Sequence, residues 1–153
     1  MAITDGLKNT AVGYESLKTD VQGDNSTAIG YQSLKVQTST NGDVRNTAVG
    51  AGSGRTLTTG NDSTLIGYNA GEGIITNGEN VAIGMKTVEI ISHANAIKNT
   101  AVGTYAMQGS GTAANNTATL NTAVGYSALK VITTGSNNVA VGSNVADSLT
   151  TGS

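Results

Sequence analysis

The stretch Asn121-Thr-Ala-Val-Gly-Tyr-Ser-Ala-Leu129 decides the fold, because close versions of its first five residues occur eight times in 153 residues. They are Asn9–Gly13, Ser26–Gly30, Asn46–Gly50, Ser63–Gly67, Asn80–Gly84, Asn99–Gly103, Asn121–Gly125 and Asn138–Gly142, with the form Asn/Ser, Thr/Val, small, Val/Ile, Gly. Successive motif glycines are separated by 17, 20, 17, 17, 19, 22 and 17 residues, so the period is 17. The longer intervals add residues after the second, fifth and sixth motifs, around Gln37 to Val44, Ser92 to Ile97 and Gly109 to Thr119. Gly, Asn, Ser and Thr dominate these additions, which read as turn insertions at the rim of a repeat stack.

Outward from the motif, a small residue and then an apolar one stand four residues past most glycines, at Leu17, Leu34, Gly54, Gly71, Val88, Met107, Leu129 and Ala146. This element is expected to form a second short strand. Turn signals such as Thr59-Gly-Asn61, Asn77-Gly-Glu79 and Thr134-Gly-Ser-Asn137 separate the units. Glycine interrupts the β-branched alternation before any 3.6-residue stripe develops, so no helix is expected. The prediction is an all-β chain in which residues 1–153 form a single parallel β-solenoid domain of about eight coils. Stacked at the usual inter-strand spacing, eight coils make a rod roughly 40 Å long.

Composition agrees with thin layers rather than a bulky core. Phe, Trp, Pro and Cys are absent, aromatics are 3% and there are 21 glycines. Without cysteine there are no disulfides, thiolate metal ligands or cysteine nucleophiles. A net charge of -2 with 12% charged residues gives no reason to expect nucleic acid. No stretch reads as a secretory signal or as long and apolar enough to span a bilayer, so no membrane insertion is expected.

Each column of the repeat has an expected task. Adjacent strand residues point to opposite faces. The Val/Ile column and the column of Ala11, Ala28, Ala48, Leu65, Ala82, Ala101, Ala123 and Ala140 therefore make both faces apolar. Val/Ile is expected to fill the coil, with threonines 10, 27, 47, 64, 100 and 122 partly buried beside it. The alanine column is assigned to a subunit interface, since small side chains permit close approach to a symmetry axis. Asn9, Asn46, Asn80, Asn99, Asn121 and Asn138 are assigned to a structural ladder, with Ser at 26 and 63.

Candidate receptor contacts are Tyr14, Tyr31, Tyr68 and Tyr126 just past the glycine, as a stacking row, and Lys18, Lys35 and Arg55, as anchors for an anionic polysaccharide. Tyrosines covering a corner or a subunit seam, and cations on a solvated face, are the blander reading. In adjacent coils Arg55 with Glu72 and Lys130 with Asp147 make expected surface ion pairs. The acids Asp24, Asp43, Asp62 and Glu79 lie in turns before motifs, but the calcium-binding Gly-Gly-x-Gly-x-Asp repeat is absent. The single histidine, His93, has no second histidine or cysteine with which to make a metal site, and no nucleophile elbow or phosphate loop occurs. No cofactor, no metal and no catalytic activity are expected.

These Asn-Thr-Ala-Val-Gly-Tyr-x-Ala/Ser-Leu units resemble the repeats of the YadA-like heads of trimeric autotransporter adhesins, and more closely repeats found in bacteriophage tail fibres. The resemblance covers nearly the whole chain. It implies a left-handed parallel β-roll, a homotrimer about one axis, and attachment to surfaces such as host polysaccharide or matrix protein. Adhesin heads commonly use a shorter repeat in chains with a signal peptide, stalk and membrane anchor, none of which is read here. The expectation is therefore a virion tail fibre, or otherwise an extracellular surface fibre, with receptor contacts in the insertions at 37–44 and 109–119. Leu149 to Ser153 and Ile3 to Asn9 repeat the turn that leads into Asn138, which makes a filament growing by end-to-end contacts the alternative. An ice-binding solenoid, suggested by the threonine column, is a third reading.

Overall fold

A computed structural model describes residues 6–39, 42–76, 78–89, 97–110 and 116–152. His93 and most of the second insertion, with residues 40–41 of the first and 111–115 of the third, lie outside the described residues. Eight three-residue strands form one sheet in chain order: β1 (Thr10–Val12), β2 (Thr27–Ile29), β3 (Thr47–Val49), β4 (Thr64–Ile66), β5 (Val81–Ile83), β6 (Thr100–Val102), β7 (Thr122–Val124) and β8 (Val139–Val141). Every neighbouring pair is parallel and in register, motif residue on motif residue, from Thr10 on Thr27 to Val124 on Val141. No helix occurs among the described residues. The chain is a β-solenoid of about seven turns.

The expected second strand is absent: residues 14–17 and their equivalents are turns. Its place is taken by left-handed backbone at alternate residues, for example Glu15 at φ 55° and Leu17 at φ 46°, which curls the chain where a strand would extend it. Coil-to-coil hydrogen bonding nevertheless continues through the turn. Gln32 N–H donates back to the Tyr14 carbonyl at 2.8 Å and Leu34 N–H donates forward to the Ser53 carbonyl at 3.0 Å.

The backbone path is the same at every level. Three columns have positive φ at all eight: the residue before the motif (Lys8 to Asn137), and those two and four past its glycine. Only Gly52, Gly54 and Gly71 among these positions are glycine, so the rest adopt a conformation that costs an ordinary L-residue about 1–2 kcal/mol. Stacking imposes it on sequences as different as Lys86, Tyr105 and Ser127.

The motif glycine has a separate cause. At Gly67, φ is +132° and an added Cβ would lie 2.5 Å from the carbonyl oxygen of Gly84 in the next coil. No side chain fits between coils there, and that is why this column never varies.

The core is a file of side chains from the turn, Leu17, Leu34, Val88, Met107 and Leu129, meeting the strand alanines, with Leu57, Ile74 and Ile132 closing the third side. At one level the roles exchange. Where the strand carries Leu65 instead of alanine, the turn carries Gly54 and Gly71. A Cβ at Gly71 would lie 2.7 Å from Leu65 Cδ2, and one at Gly54 would lie 2.8 Å from Leu65 Cδ1. Leu65 occupies the space that a leucine from the turn fills elsewhere, keeping the interior dense.

Candidate functional site

The strands' two faces differ from the expectation. Ala28, Ala48, Leu65, Ala82, Ala101 and Ala123 are fully buried within the single chain, Ala140 is 2% exposed and Ala11, at the first level, is partly buried. The assignment of Ala11, Ala28, Ala48, Leu65, Ala82, Ala101, Ala123 and Ala140 to a subunit interface is therefore corrected: they are the coil's own core. The coil is thin, the leucine file from the turn already crosses it, and only a methyl group fits opposite.

The Val/Ile column, expected inside, points outward. Val12, Ile29, Ile66, Val124 and Val141 are 36–67% exposed, while Val49, Ile83 and Val102 are half-buried. Beside it run the Thr/Val column, with Thr10 and Val139 exposed and Thr27 to Thr122 half-buried, and the column containing Tyr14, Tyr31, Tyr68, Met85 and Tyr126. With eight levels at the normal spacing, this apolar stripe runs for about 34 Å. No charged residue stands in the Thr/Val or Val/Ile column of β1–β8.

Polar demands inside the coil are met by ladders. The side-chain oxygen of Asn46 accepts from Ser63 N–H at 3.0 Å, that of Asn80 from Asn99 N–H at 3.0 Å, that of Asn99 from Asn121 N–H at 3.1 Å and that of Asn121 from Asn138 N–H at 2.9 Å. Asn9 does the same for Ser26 at 2.8 Å. The amide groups donate to turn carbonyls, as Asn121 does to Gly135 and Asn138 to Gly152, both at 2.9 Å. These side chains are consumed in holding one coil to the next.

Sequence reading missed a buried polar pair. Gln37 donates to Asp20 at 2.8 Å and to Ser26 at 3.2 Å, and accepts from Asn46 at 3.0 Å, bridging the level where serine interrupts the asparagine column. Asp20 and Gln37 are fully buried. The signal was available: seven residues past the glycine the first four levels read Asp20, Gln37, Leu57 and Ile74, so two polar residues stand where the next two levels place core side chains.

The candidate receptor contacts are dispersed and largely engaged. Tyr14 and Tyr31 stack with ring centroids 5.7 Å apart, whereas Met85 and Thr104 separate Tyr68 from Tyr126 in their column. Lys18 and Lys35 both bind Glu15, at 2.5 and 2.9 Å, and hold its carboxyl down to about 2. Arg55 pairs with Glu72. Arg45, which the sequence did not single out, bridges Asp43 and Asp62 and pulls the Asp62 carboxyl below its ordinary range. Lys130 does not pair with Asp147; its ammonium lies 5.5 Å from the centroid of the Tyr105 ring.

Among the described residues no three His, Cys, Asp or Glu side chains are grouped to hold a metal. No family model, curated protein or solved structure matches the chain. The feature that distinguishes this molecule is thus physical: a rod whose internal polar columns are knitted together and whose outer strand face is a continuous apolar stripe. Such a face can bury area against another surface.

Proposed function

We propose that this protein is the rod segment of a fibre, a homotrimer like those of viral tail fibres, whose three chains cover one another's Thr, Val/Ile and Tyr columns and present rim insertions toward a host surface. The single observation carrying this reading is the outward Val/Ile column. Eight consecutive levels retain a β-branched residue where a soluble single chain would be served by Ser, Lys or Glu. Burying each exposed Val or Ile side chain contributes about 1.5–3 kcal/mol at most. Repetition at eight levels makes a cooperative seam, in which a third chain closes the stripe left by two. The resemblance to tail-fibre repeats points the same way.

The test is a triple substitution, Ile29→Lys, Ile66→Lys and Val124→Lys, read by light scattering after size exclusion. These side chains point away from the coil, so the monomer fold tolerates the change. Wild-type protein at three times the 15.3 kDa chain mass and the variant at one chain mass would support the proposal. Wild-type protein running as a single chain at micromolar concentration would end it.

A further inference from the structure

Serine interrupts the asparagine column twice, at 26 and 63, and the core beside the two serines is built differently. Around Ser63 the side chains seven past the glycine are Leu57 and Ile74, both fully buried. The ladder still closes there: Asn46 accepts from Ser63 N–H at 3.0 Å and Ser63 Oγ accepts from Asn80 N–H at 3.4 Å. Around Ser26 the same column carries Asp20 and Gln37. A serine level therefore does not require polar neighbours, and the pair has another cause.

Stability does not supply that cause. The buried Asp20 carboxyl accepts from Gly23 N–H at 3.0 Å and from Gln37 at 2.8 Å, and among the described residues no lysine or arginine pairs with it. An apolar pair of similar volume usually does as well or better in such a place. Leucine has the precedent of Leu57, since Gly23 stands three residues past Asp20 as Gly60 stands three past Leu57.

What the polar pair adds is identity. Asn9–Gly13 and Asn46–Gly50 are both Asn-Thr-Ala-Val-Gly, and Ser16, Ser33 and Ser53 share one turn position. The second and third coils thus offer the first coil nearly the same strand and turn, and they part at Gln37, where the first insertion begins. Were the first coil to stack on the third, with the second looped out, the strand ladder would be remade. Asp20 would then meet Leu57, and its carboxyl would lose the Gln37 donor.

We infer that the buried Asp20–Gln37 pair is a register lock, which confines the first coil to stacking on the second.

The chain has no cysteine, so disulfide trapping on the turn can read the register. Lys18, Lys35 and Arg55 hold the same place at three successive levels. Adjacent levels lie about 4.8 Å apart, within disulfide reach, and alternate levels about 10 Å apart, beyond it. Lys18→Cys with Lys35→Cys should cross-link readily, and Lys18→Cys with Arg55→Cys hardly at all. Adding Asp20→Leu and Gln37→Leu should keep or raise the urea midpoint while increasing the 18–55 cross-link at least about tenfold. The Leu17 amide, which donates to Ser33 at 3.1 Å, should stay protected from exchange, because Ser53 offers the same carbonyl in the slipped register. An unchanged 18–55 yield, a lowered midpoint or a loss of Leu17 protection would each overturn the lock, the last two by showing that the pair merely holds the coil down. Chain stoichiometry is read separately, so either result leaves the fibre proposal standing.

Discussion

The inward and outward faces of the same eight strands use side chains of opposite size, and the smaller lie inside. Alanine is buried at nearly every level while valine or isoleucine faces out. In a globular sheet the larger aliphatic residues face the core, because there the core is wide. Here the turn sends its own leucine across a thin coil, so the strand has room for a methyl group only. The level of Leu65 shows that volume decides, since that strand residue is large where Gly54 and Gly71 leave the space empty.

The largest expected break in this contrast comes from the coil spacing both faces share. Gly103→Ala would put a Cβ 2.4 Å from the Gly125 carbonyl oxygen, at φ +130°. It should cost about 3 kcal/mol or more, seen as a sharp loss of urea midpoint. On the inward face, Leu65→Ala should cost about 2–5 kcal/mol. Adding Gly71→Leu should recover part of that loss, because Leu17 adopts the same left-handed conformation in the equivalent place. A double variant no more stable than Leu65→Ala would argue against volume exchange.

Smaller effects belong to the surface. Leu120, half exposed at φ 58°, lies in the strained column before the motif, and Leu120→Asn should gain about 1 kcal/mol in chemical denaturation. Glu15 gives the weakest signal, a pH effect. Its carboxyl is depressed from 4.5 to about 2 by Lys18, Lys35 and Gln32, so its contribution is complete above about 4.5 and fades as pH falls toward 2. Melting curves across that window should lose less in Glu15→Gln than in wild type, the difference being small because the pair is open to water.

Much of the fold was legible because the repeat writes it eight times: period, parallel register, lack of helix and the glycine corner all follow from spacing. What was not legible is direction. Alternation states that Ala and Val/Ile face opposite ways without stating which way is in, and the answer depends on how far Leu17 or Met107 reaches from a turn. The second strand was misread for a related reason, since its apolar residues alternate like a strand while Glu15 and Leu17 occupy left-handed backbone that residue type does not announce. Among site residues, Arg55 could be paired with Glu72 from coil spacing, but Lys130 passes over Asp147 for the ring of Tyr105, a choice made by side-chain geometry.

Because the chain has no cysteine, thiol labelling can examine the two faces directly. Whether other chains cover the outward stripe, as proposed, is read by comparing Ala101→Cys with Val102→Cys in native protein. Under that proposal both thiols resist labelling in otherwise wild-type protein, and in the Ile29→Lys, Ile66→Lys, Val124→Lys background only the thiol at 102 becomes reactive. Fast labelling at 102 in otherwise wild-type protein, at the rate of an unfolded control, would contradict it.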